Sequence, residues 1–354
     1  MKIVNLESDA VAFEGPLFPP ARVIKTGVLA EIGAEPVPAV PEAFQPSAWS
    51  VSTGVGSRQI VLDITALPDS GGMPIEAIQY NIGAGWIAIS GTGTGVRNLT
   101  MENAAASYTF TLRAVNALGA GLASATKTTI SSIDIQDFYG TGAGQVPMDH
   151  RYAEGAQSGG NLLSVPNLGG AGSLFNLTTV GTIPVAAPYV TVDPSDRFEI
   201  ANRVELVGAR MFIVADIKAL GVNQFFAGRN VTGEVTNVLL NGAGTTITLN
   251  RNPGTGFVNA AVPMDPVVTA GLRLYEFEAI SGGNISVWVN TVLRGTIANP
   301  HATFGVSRIS AGQSTASGLT ADLYRTLLQM TGGDYEARVE VIRARVNTEY
   351  GLGY

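Results

Sequence analysis

The chain of 354 residues contains no cysteine and only two histidines. Without thiols there are no disulfides and no thiolate metal sites, and His150 and His301 are too few for a zinc cluster. Cysteine-free composition fits a protein that folds in a reducing compartment. Charge is scarce as well: charged residues make up 14% of the chain, only four of them are lysines, and the formal net charge is −7. That is a poor surface for a phosphate backbone and predicts no nucleic-acid partner. No apolar run is long enough to span a bilayer, so no membrane insertion is expected. The opening MKIVNLESDAVAFEG is polar and acidic where a secretion signal needs an apolar core, which predicts that the chain does not leave by the general secretory route.

The chain also lacks the short motifs of common enzymes. There is no P-loop and no G-x-S-x-G elbow. The GTGAG at 140–144 has G-x-G spacing, but no helical pattern follows it, as a dinucleotide site requires, and it reads as flexible linker. Asp193 with Asp196, and Asp334 with Glu336, lack the dense Asp/Asn loop of a calcium site. The expectation is no catalytic residue, no metal and no cofactor.

What is abundant is glycine, at 43 residues, together with Thr, Val and Ile, the composition of short strands joined by tight turns. The fold class expected is therefore all-β. In Tyr108–Ser124, YTFTLRAVNALGAGLAS, the residues Tyr108, Phe110, Leu112 and Ala114 alternate with Thr109, Thr111, Arg113 and Val115. A period of two marks a strand with one buried face, and Asn116, Gly119 and Gly121 mark the turn after it. Before it, Gln59–Ile64 and Ile75–Ile82 also read as strands, with the turn PDSGGMP between them. Trp49 and Trp86 read as core aromatics, the commoner fate of such rings.

These residues resemble a fibronectin type III module over 46–132. Tyr108 stands where that family has the tyrosine of its strand F corner, and Arg113, Ala114, Asn116 and Gly119 follow its R-A-x-N-x-x-G turn. Residues 1–45 are expected to be an anchoring segment and proline spacer, since Pro16, Pro19, Pro20, Pro36, Pro38 and Pro41 favour extended backbone. Residues 133–160 are expected to be a linker.

From 161 to 354 strands dominate: Arg210–Ile217, Val235–Leu240, Thr245–Leu249, Leu272–Ile280, Ile285–Val289 and Gly318–Leu328. Nearly 200 residues of this spacing point to a two-sheet sandwich of jelly-roll type. Tyr335–Tyr350 is the one amphipathic helix, with Val339, Ile342 and Val346 on one face. The hairpin in 271–297 and the ending Glu349–Tyr350–Gly351–Leu352 resemble the concanavalin A-like (laminin G-like) family.

Some concanavalin A-like members cleave glycans with an E-x-D-x-x-E strand. Here Glu276 and Glu278 share a strand face, but the central Asp and the second catalytic Glu are missing, and an enzyme is not expected. Trp288 alternates against Val287 and Val289, and is expected on the same open face, with Asn290 two residues on. The ligand site expected is thus Trp288, Asn290, Glu276 and Glu278, gripping a sugar.

The order of anchor, spacer, fibronectin-like module and lectin-like tip resembles a bacteriophage spike or fibre, which implies assembly in the host cytoplasm and residence in the virion. The partners implied are other virion proteins through the N-terminal segment, a host cell-surface glycan, and further copies in a homo-oligomer. A purely structural decoration protein and a polysaccharide depolymerase stay open as alternatives.

Overall fold

The structure, a computed structural model, describes residues 37–231, 234–252, 254, 256–312 and 318–354. The anchoring segment expected at the start therefore lies, as far as residue 36, outside the described residues. The described residues are all-β, two sandwiches with one α-helix near the C-terminal end.

The first sandwich holds β1 (Trp49–Thr53), β2 (Gln59–Ile64), β3 (Ile75–Asn81), β4 (Trp86–Ala88), β5 (Gly95–Thr100), β6 (Ser107–Asn116), β7 (Gly119–Ala120) and β8 (Lys127–Ile130). One sheet runs β1-β2-β5 and the other β4-β3-β6-β7, with β8 also on β6. Period-two alternation builds it: Ile60, Leu62 and Ile64 of β2 face Phe110, Leu112 and Ala114 of β6, all fully buried. Trp49 completes this core, while Trp86 lies half-buried under the Arg113 guanidinium, 4.1 Å from its ring centroid. The Tyr108 hydroxyl accepts a hydrogen bond from the Asn103 backbone N–H at 3.0 Å, tying down the corner before β6.

The spacer expected through residue 45 ends earlier. The Ala39 N–H donates to the Gly71 carbonyl at 2.8 Å, Asn116 Nδ2 donates to the Ala39 carbonyl at 2.7 Å, and Phe44 is buried in the core. An apolar ring and unpaired backbone groups gain more from this docking than from extended solvated chain.

The second sandwich holds β9 (Met148–Arg151), β10 (Ala156–Ser158), β11 (Asn161–Val165), β12 (Leu177–Val180), β13 (Val185–Ala186), β14 (Tyr189–Val192), β15 (Arg197–Glu205) and β16 (Ala209–Ile217). It continues with β17 (Gln224–Val231), β18 (Glu234–Leu240), β19 (Thr246–Asn252), β20 (Val258–Pro263) and β21 (Gly271–Ala279). It closes with β22 (Asn284–Val289), β23 (Val292–Ala298), β24 (Gly305–Ile309) and β25 (Ala321–Met330). A nine-stranded sheet has the order β10-β11-β12-β15-β24-β17-β18-β19-β20. An eight-stranded sheet has the order β13-β14-β25-β16-β21-β22-β23, with β9 on β25. Phe198, Phe226, Tyr275, Phe277 and Phe304 fill the core between them.

The linker expected over 133–160 is instead structural. Asp149 of β9 is wholly buried and receives a two-pronged bond from Arg325 of β25, at 2.8 and 2.6 Å. A short 3-10 turn, Ile135–Phe138, buries Ile135 and Phe138, and Asp134 caps it together with Asp137. Gly144 of the GTGAG stretch has φ +70°, and a Cβ there would come within 2.7 Å of the Gly332 carbonyl oxygen. Its glycine serves close backbone approach, not phosphate binding.

The helix α1 (Tyr335–Tyr350) ends on Gly351 in the left-handed region, φ 64°. Val339, Ile342 and Val346 are buried against Phe212, Val214, Leu274 and Leu327, on the outer face of the eight-stranded sheet. The helix is thus a third layer.

Candidate functional site

The structure brings together three of the four residues expected to bind ligand, but not on an open face. Glu276 pairs across the sheet with Trp288 and Glu278 with Ser286, on the face opposite the core residues Tyr275 and Phe277. That face lies under α1. Glu276 is wholly buried, bound by Arg210 Nη2 at 2.6 Å and by Arg343 Nε of the helix at 3.0 Å. Glu278 accepts from the Tyr335 hydroxyl, and burial holds its carboxyl above the ordinary value, against the lowering effects of Tyr335 and Arg210. Trp288 is half-buried with the Arg210 guanidinium 3.7 Å from its ring centroid. Asn290 is a turn residue, φ 50°, whose side-chain oxygen accepts from the Leu274 N–H at 2.9 Å. The expected open site is therefore a clamp that holds α1 down. Alternation told which residues share a face; it could not tell that the helix, needing a partner for its apolar stripe, covers that face.

The outer face of the nine-stranded sheet differs. Val238, Leu249 and Ala260 point into the core, so their neighbours Asn237, Asn250 and Asn259 point outward. Register makes these three direct partners across β18, β19 and β20. Asn237 is buried and its Nδ2 donates to Asn250 Oδ1 at 2.8 Å; Asn250 is half-buried and Asn259 exposed. A second row, Phe225, Leu239, Thr248 and Ala261, runs alongside. The result is an amide ladder beside a mostly apolar strip.

The segment after β24 covers the buried end of this ladder, where a Cβ on Gly312 would come within 2.7 Å of Asn237 Oδ1 and meet the Phe225 ring. A Cβ on Gly228 would meet the Ala311 carbonyl oxygen at 2.7 Å, so only glycine lets the segment lie so close. Beyond it, Glu199 joins Arg197 at 2.6 Å and Arg308 at 3.0 Å. The ladder can donate and accept hydrogen bonds side by side; it offers no nucleophile. Among the described residues, no group of three or more His, Cys, Asp or Glu is placed to hold a metal ion. The hint in the sequence is the asparagines of VTNVLL, TITLNRN and VNAAVP, and nothing there gives their register.

No protein-family model and no curated protein sequence matches the chain. Among solved structures, domain 4 of a GH43 extracellular arabinanase from Geobacillus stearothermophilus, in complex with arabinotriose, is similar at 10% identity and TM-score 0.41, covering 55% of this chain and 97% of that one. A galectin of Caenorhabditis elegans is similar at 14% identity and TM-score 0.26, covering 36% and 89%. The binding domain of botulinum neurotoxin DC, in complex with SialylT, is similar at 9% identity and TM-score 0.41, covering 62% and 53%. At these scores the likeness is loose.

Proposed function

We propose that the chain is a glycan-binding virion protein, a spike or fibre whose second sandwich holds host-surface polysaccharide at the open end of the amide ladder, on Asn250 and Asn259, with buried Asn237 anchoring Asn250. The observation that carries the reading is the registered pairing of these amides beside the strip of Phe225, Leu239, Thr248 and Ala261. A pyranose presents hydroxyls at its rim and C–H groups on its face. The amides of Asn250 and Asn259 answer the first with donors and acceptors, and a low apolar strip answers the second. Such a contact is weak at one site and becomes strong in many copies on one particle.

The first sandwich is read as a fibronectin type III-like stalk, on the strength of the Tyr108 corner and the Asn116 turn. The second is read as concanavalin A-like. The N-terminal segment would dock on other virion proteins, the chain would assemble as a homo-oligomer in the host cytoplasm, and its role would be attachment without catalysis.

The test applies the fluorescently tagged full chain, multimerised, to host cells with and without their outer polysaccharide. Binding should vanish on stripped cells and fall at least about ten-fold for the double variant Asn250→Ala, Asn259→Ala, whose side chains are not core. Equal binding to stripped cells overturns glycan recognition. No binding to either points to a structural decoration protein, and shortening of the polysaccharide by the chain points to a depolymerase.

A further inference from the structure

The helix α1 ends at Tyr350, which packs with Tyr324 against the edge of the helix-layer core. There Tyr189 of β14 and Tyr324 of β25 lie with ring centroids 5.2 Å apart, and Tyr350 sits 5.5 Å beyond Tyr324. All three rings are half-buried, so each keeps part of its surface in water. Lys218 stands 5.9 Å from the Tyr189 ring and pairs with Asp216 at 2.7 Å and with Asp322. Asp322 is buried and also accepts from Thr191 Oγ1 at 2.7 Å. Register puts Asp322 next to both Thr191 and Asp216. The charged groups are therefore held in place by the sheet, not swinging in solvent.

We propose that Tyr189, Tyr324, Lys218 and Asp216 form a second saccharide-binding patch, selective for neutral sugar rings, with buried Asp322 holding Lys218 in place. The proposal rests on the glycan reading for its ligand class but shares no residue with the amide ladder. Aromatic rings hold the C–H face of a sugar by dispersion and by their negative π-face. The Asp216 carboxylate accepts from hydroxyls and the Lys218 ammonium donates to them. Selectivity follows from charge: two carboxylates against one ammonium leave the patch with a net negative charge, which repels acidic sugars. Lys218 is 43% exposed, so a ligand reaches it without displacing the sheet.

The experiment labels the full chain with 3-fluorotyrosine and titrates lactose, maltose and N,N′-diacetylchitobiose, with 3′-sialyllactose as the acidic comparator. The fluorine resonances of Tyr189 and Tyr324 should move with at least one neutral disaccharide and stay put with 3′-sialyllactose. Tyr189→Ala should weaken that binding about ten-fold, and Tyr189→Phe should keep it. The patch is overturned if no neutral disaccharide moves these resonances, or if Tyr189→Ala leaves affinity unchanged. The two glycan readings separate cleanly. Binding lost in the Asn250→Ala, Asn259→Ala variant but kept in Tyr189→Ala leaves the ladder and removes the patch, and the reverse leaves the patch and removes the ladder.

Discussion

The His150 ring is wholly buried on β9, with Nε2 2.7 Å from the Phe175 carbonyl oxygen, and burial pushes its pKa down to about 4. A carbonyl only accepts, so Nε2 carries the proton, and Nδ1 has no hydrogen-bond partner in the structure. The unfolded ring takes up a proton near pH 6.5, well before the folded one. Its contribution is therefore full above pH 6.5 and is lost as pH falls towards 4, by up to about 3 kcal/mol. Glu278 acts with the opposite sign: held above the ordinary value by burial, it favours the fold at low pH, and that gain is lost as pH rises through its folded value. Melting temperatures across pH 4 to 7 should fall on acidification, and His150→Gln should flatten the curve. An unchanged slope in the variant would remove His150 as the cause. The sequence placed this histidine in a linker because nothing local announces that Met148–Arg151 pairs with a strand some 175 residues later.

Among the elements, α1 was the most legible. Val339, Ile342 and Val346 recur at helical spacing, and the helix spans Tyr335–Tyr350 as that spacing predicts. What it packs on was not legible, because an apolar stripe does not name its partner. Ile342→Ala should cost about 2–5 kcal/mol in urea unfolding, the usual range for a fully buried aliphatic side chain. Glu276→Gln should cost about 3–5 kcal/mol, because it leaves Arg210 buried beside an uncharged partner. Neither should alter glycan binding by the folded fraction; loss of binding in folded Glu276→Gln would return that residue to the ligand site. Apolar strands such as β2, β16 and β22 were also read within a residue of their ends. The short strands β9 to β14 were not, since two to five residues carry too little pattern to set against turn-rich surroundings.

On the scale of the whole molecule, the order of two sandwiches was readable, while their junction was not. Asp137 receives Ser57 Oγ at 2.5 Å and lies 3.6 Å from Arg58, and Asp134 lies 3.6 Å from Arg345 of α1. Val55 and Ile133 face Val341 and Ala344 across a cleft of about 350 Å³. Both aspartates also cap the 3-10 turn, so one short segment serves fold and junction together. Replacing Asp134 and Asp137 by alanine should free the first sandwich to swing, seen in small-angle scattering as a larger and broader range of dimensions. An unaltered profile would mean that these contacts do not set the angle.

The first sandwich is joined to the helix layer, on the outside of the eight-stranded sheet, by the segment carrying Asp134 and Asp137. The asparagines lie on the other side of the second sandwich, across its full thickness. A bead, a particle wall or a crowd of neighbouring copies attached through the first sandwich would shade α1 and leave the asparagines facing the opposite horizon.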